Sequence, residues 1–149
     1  MTTERLNLEK NVLRTEMPLV QCVFRDMDTE LPYVLMPVKT KNGKVYTIRI
    51  DLDNFPNEVP HAFVTKMLYT KDGEPMDGPS STMHTLSSEH GYTRICHYGY
   101  HSWSPMVSLL KVYVKCALWL NMYELHLLTG NTMEYYLNHQ IKKRLVSAS

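Results

Sequence analysis

The apolar run from Pro105 to Leu128 constrains this chain more than any other segment. It is long enough to raise the question of a membrane, but Lys111, Lys115, Asn121 and Glu124 interrupt it. Charges at bilayer depth are costly, so the segment predicts a core helix and no membrane span. Ser104-Pro105 reads as an N-cap followed by proline at the first helical position, and Gly130 as the stop. Ser108, Lys111, Lys115 and His126 share one stripe of this helix, and most of the remaining surface is apolar. The helix is therefore expected to be covered on nearly every side.

The rest of the chain must supply that cover. Residues 3–16 predict an amphipathic helix with Thr3 as N-cap, Leu6, Val12, Leu13 and Met17 recurring at near-helical spacing, and Pro18 as its end. Leu19–Phe24 and Tyr33–Val38 are short β-type runs, punctuated by Pro32 and Pro37 and so placed near a sheet edge. Asn42-Gly43 marks a tight turn into Tyr46–Leu52, the cleanest alternating strand, with Tyr46, Ile48, Ile50 and Leu52 inward. Phe55–Pro60 is a stiff turn before a fourth strand, Ala62–Tyr69. Residues 70–94 lack any period and predict a long irregular loop, of a kind usually tied to function. Asn131-Thr132-Met133-Glu134 resembles a capping box opening a last helix with Met133, Leu137, Ile141 and Leu145 inward. The order is α+β, an antiparallel meander packed on helices, with no repeat or linker to divide residues 1–149 into domains.

Composition narrows the function. A formal net charge of +1 argues against a nucleic-acid binder, and the basic run Lys142-Lys143-Arg144 suits a helix C-terminus. Cys22, Cys96 and Cys116 are an odd count at irregular spacing, which argues against a disulfide framework and for a reducing, cytoplasmic setting. No apolar run follows the charges of Met1–Arg5, so no secretory leader is expected. No glycine-rich phosphate loop, nucleotide site, metal site or other cofactor site is evident.

Cys96 is the residue on which function turns, because it closes the polar loop just before the apolar helix. His84, His90, His97 and His101 crowd it. Several chemistries are open at this point. A cysteine–histidine hydrolase would use an imidazole to activate the thiol. A zinc site would draw on Cys96, His97, His101 and His90 or His84, but the spacing matches structural zinc poorly. A transthiolation enzyme would carry an acyl group on the Cys96 thiol and pass it to an amine. A packing cysteine is the remaining reading.

The element order and three local matches resemble the ubiquitin-conjugating enzyme family. Phe55-Pro56-Asn57-Glu58-Val59-Pro60 resembles its aromatic-proline signature, Ile95-Cys96 its active-site step, and Trp103-Ser104-Pro105 its tryptophan-serine-proline. The resemblance covers about residues 3–145. It implies a UBC-like α+β fold with an N-terminal helix, a four-stranded antiparallel meander, an active-site loop and C-terminal helices. It also implies an acyltransferase with Cys96 as the thioester-forming nucleophile and His84, in Met83-His84-Thr85, as a loop-ordering residue.

The family's oxyanion-stabilising asparagine has no counterpart, so Thr85, His90 or a backbone N–H would have to substitute. Tyr98, Tyr100 and His101 are candidates to gate the incoming amine, and Glu89 and Asp77 to act on an acceptor lysine. Arg5, Lys10 and Arg14 form a basic stripe suited to an activating enzyme. The lengthened segment before Cys96 resembles the bacterial branch found in antiphage operons of the CBASS type. There the modifier is a ubiquitin-like protein or a cGAS-like nucleotidyltransferase. The alternative is a catalytically inactive binding module of the same fold that docks a partner. The missing asparagine favours the module, and the retained cysteine favours the enzyme.

Overall fold

A computed structural model describes residues 1–138 and gives an α+β architecture. Helix α1 (Thr3–Glu16) is capped by Thr2, whose hydroxyl accepts from the Arg5 N–H, one residue ahead of the expected cap. Six strands then form one antiparallel sheet: β1 (Val23–Arg25), β2 (Tyr33–Lys39), β3 (Val45–Asp51), β4 (Ala62–Val64), β5 (Thr85–Glu89) and β6 (Tyr92–Ile95). Their spatial order is β1-β2-β3-β4-β6-β5. The alternation expected of β3 is present: Tyr46, Ile48 and Ile50 are buried and Val45 and Thr47 exposed. Pairing sets Val34 against Ile50, Met36 against Ile48 and Val38 against Tyr46, so one sheet face is continuously apolar. Helix α2 (Leu109–Thr129) contributes Leu109, Val112, Cys116, Trp119 and Leu120 to the same core.

Several expectations are corrected. The sheet has six strands, not four, because the stretch read as an irregular loop contains the β5–β6 hairpin. His90 and Gly91 turn it at φ of 58° and 73°, the left-handed region that tight hairpin turns require. The fourth strand stops at Val64, not Tyr69. Buried Thr93 on β6 accepts the Leu68 N–H and donates to the Met76 carbonyl, which ties residues 68–76 to β6 in place of a longer β4. The first strand is Val23–Arg25, not Leu19–Phe24, since a turn bonds the Val20 N–H to the Met17 carbonyl and leaves Leu19 98% exposed.

The long helix begins at Leu109, four residues after Pro105. Ser104–Val107 instead closes a β-turn, with the Val107 N–H on the Ser104 carbonyl and proline at the second position. Ser108 is the true cap, its hydroxyl accepting from the Lys111 N–H. Gly130 ends the helix as expected, at φ 82°. The helix is not covered all round, for Val114, Leu118, Leu125 and Leu128 are exposed. His126 is buried, not on the polar stripe. Its Nε2 accepts the Lys71 N–H, which fixes the tautomer and makes Nδ1 the donor to the Asn131 carbonyl.

Residues 133–138 are helical, with Met133 fully buried and Leu137 against the core. Their cap is Thr132, which accepts from the Tyr135 N–H. Ile141, Leu145 and the Lys142-Lys143-Arg144 run lie outside the described residues. Among the described residues no helix is long and apolar enough to cross a membrane.

Candidate functional site

The sheet hands the chain to the site at Ile95, which is fully buried at the end of β6. The Cys96 N–H, next along, donates to the His84 carbonyl at 2.9 Å. That carbonyl also accepts from the Trp119 indole Nε1 at 3.0 Å, and the same indole N–H reaches the Met83 carbonyl at 3.1 Å. The backbone beside the thiol is thus tied to the core of α2. His84 sits at φ 52°, an uncommon conformation for a side-chain-bearing residue, and two donors hold its carbonyl there. At His84 it is the backbone oxygen, not the imidazole, that makes these bonds.

Cys96 is half-buried and opens on a cleft of about 250 Å³ lined by His84, His97, Lys115, Leu118 and Trp119, among others. Leu118 and Lys115 bring the solvent-facing side of α2 to the cleft, and Lys115 Nζ lies 3.8 Å from the Tyr98 ring centroid. His97 is held well below the usual imidazole range, to about 4. Burial is the main cause, partly offset by a hydrogen bond to the Ile95 backbone, with the nearby charges of Lys115, Arg94 and His61 adding to the depression. It is neutral at physiological pH. Lys115 is the cation at the rim.

The other cysteines differ. Cys116 is fully buried, and desolvation pushes its thiol up to about 12. Cys22 is half-buried against the Val20 carbonyl, and burial raises its thiol too.

Two of the motifs noted in the sequence meet beside this site. The Trp103 indole donates to the Pro56 carbonyl at 2.9 Å, and its ring stands edge-on to Phe55 and to Tyr98. The Phe-Pro turn, the Trp-Ser-Pro turn and the segment after Cys96 form one packed unit.

Other expected residues fall elsewhere. Thr85 is buried, and its hydroxyl donates to the Gly78 carbonyl at 2.9 Å, so that proton is engaged away from the cleft. Glu89 and His90 do not line the cleft but gather with Asp51 and His61 at the hairpin tip. His101 is exposed on the 3-10 turn Tyr100–Ser102. Arg5 is not a free docking group, since it donates to Glu9 and to the Pro105 and Val107 carbonyls. Lys10 lies over the Phe24 ring. Arg14 remains exposed.

Sequence reasoning missed Lys115 and Trp119 as cleft residues. The available signal was their i, i+4 spacing, which sets both on one side of α2. Compared with known proteins, the chain matches no family model, no curated protein and no solved structure.

Proposed function

We propose that the protein is a ubiquitin-conjugating-type acyltransferase of UBC-like fold, with the Cys96 thiol as nucleophile. The observation that carries this reading is the placement of Cys96. It is a half-buried thiol on an open cleft, with its backbone fixed to His84 and Trp119. The packing of the Phe55-Pro56 and Trp103-Ser104-Pro105 motifs against one another supports it further.

In the proposed reaction, the Cys96 thiolate attacks the carbonyl at the C-terminus of a modifier held as a thioester on an activating enzyme. That enzyme's thiolate leaves, and the modifier passes to Cys96. An acceptor amine then attacks the new thioester, the C–S bond breaks, an amide forms, and the amine proton leaves to a base or to water. Resemblance proposes a ubiquitin-like protein or a cGAS-like nucleotidyltransferase as the modifier, and cytoplasmic antiphage defence in bacteria as the setting. With Thr85 engaged on Gly78 and His90 outside the cleft, oxyanion stabilisation falls to a backbone N–H.

The test is co-expression with the flanking genes. On a non-reducing gel the wild type is expected to carry an adduct cleaved by dithiothreitol, and Cys96→Ser a resistant ester. Cys96→Ala should carry none. Full conjugation by Cys96→Ala overturns the proposal. Partner binding and normal cellular function in Cys96→Ala favour the docking module, for which the engaged Thr85 hydroxyl is the structural argument.

A further inference from the structure

Ala62 and Val64 join the core under α2, so Phe63 between them faces the opposite side of the sheet. Phe63 is nevertheless fully buried. The hairpin tip and its neighbours cover it: the rings of His61, His90 and Tyr92 stand around it at 6.3, 5.6 and 6.5 Å. His90 also belongs to a trio with Asp51 and Glu89, each of which brings one ligand atom to within 4.8 Å of the others.

The contacts among these groups have a definite polarity. Arg49 Nε donates to Asp51 Oδ1 at 2.8 Å, while Asp51 Oδ2 faces His90 Nε2 at 4.0 Å. His61 Nδ1 lies 3.1 Å from Glu89 Oε2. Each carboxylate is therefore held by one oxygen from outside the trio.

We propose that Asp51, Glu89 and His90 form a binding site for a divalent transition-metal cation of the zinc type, with His61 and Arg49 orienting the two carboxylates. Zinc binds imidazole nitrogen and carboxylate oxygen at roughly 2.0–2.2 Å, which sets tetrahedral ligands roughly 3.4 Å apart. The side chains of Glu89 and His90 are 40% and 43% exposed, which leaves them room to turn toward a shared cation. The imidazole selects against magnesium and calcium, which prefer oxygen throughout. Two carboxylates balance the charge of the cation, and the His61–Glu89 pair is the kind of outer hydrogen bond that metal-binding carboxylates carry. Three protein ligands leave a fourth position for water. The ligands come from the end of β3 and the tip of the β5–β6 hairpin, so the cation would clamp the hairpin that ends at Cys96 to the body of the sheet. The site shares His90 with the zinc set considered from sequence, but not the thiol.

Calorimetric titration of zinc chloride into protein stripped with a chelator tests the site. The wild type is expected to bind one equivalent and to give no heat with magnesium. Glu89→Gln and His90→Asn should each weaken binding at least about tenfold. Asparagine tolerates the left-handed backbone at residue 90, so this variant keeps the turn. Cys96→Ser should bind like the wild type. Absence of one-to-one binding in the wild type overturns the proposal. So do wild-type affinity in both ligand variants and loss of binding in Cys96→Ser, which would put the ion at the thiol.

Discussion

His84 and His97 flank one thiol, yet their surroundings give them different work. His84 acts through its carbonyl, whereas His97 is an imidazole kept neutral by burial. Neutrality has a signature in stability. An unfolded chain takes up the His97 proton near the ordinary value of 6.5, and the native state only near 4. Between those values the unfolded state binds more protons, so stability falls as pH drops through the window, by at most about 3 kcal/mol from this group. Urea midpoints of the wild type should therefore fall between pH 7 and pH 4.5, and His97→Phe should flatten part of that slope. An identical pH dependence in the variant would count against a buried neutral imidazole.

Among the elements, the join between α1 and α2 carries the clearest energetic prediction. Glu9 is 2% exposed, and its carboxylate accepts from Arg5 Nε and from the Leu109 N–H, each at 2.9 Å. The first N–H of α2 is thus satisfied by a side chain a hundred residues upstream, at the end of the helix where negative charge is favoured. Glu9→Ala strands a buried N–H and a partly buried guanidinium and should cost about 2–4 kcal/mol in urea unfolding. Glu9→Gln, which keeps one acceptor, should cost less. Arg5 meanwhile holds the Pro105 and Val107 carbonyls, which stabilises the turn that displaces the helix start.

That network explains why α2 starts at Leu109 and not at Ser104-Pro105. Ser-Pro is as good a β-turn as a helix start, and the residues that decide lie far away in sequence. β3 was legible because its burial alternates with period two, and α1 because its ends are marked. The β5–β6 hairpin was hidden by Ser87-Ser88-Glu89, which reads as turn chemistry and here forms an irregular ladder between Leu86 and Glu89. Cys96 and His84 could be read from local order. Lys115 belongs to the polar stripe of its helix, and Asp51 at the end of β3 and His61 just ahead of β4 are brought beside Glu89 and His90 only by the sheet.

The molecule as a whole has one sheet, with α2 packed on one face, among the described residues. Its two tryptophans report on different parts of that assembly: Trp103 on the Phe55-Pro56 turn, Trp119 on the 83–84 backbone under the cleft. Both belong to or pack against the same core, so unfolding followed by tryptophan emission and by far-UV circular dichroism should give coincident transitions. Two separated transitions would show that the site melts apart from the sheet.

The doubly accepting His84 carbonyl has one more consequence. Since the Cys96 amide and the Trp119 indole share that single oxygen, the sulfur takes its bearings from the helix as well as from its own strand. A displacement of α2 along its axis would drag the anchor, and the thiol with it, like a needle moved by its pivot.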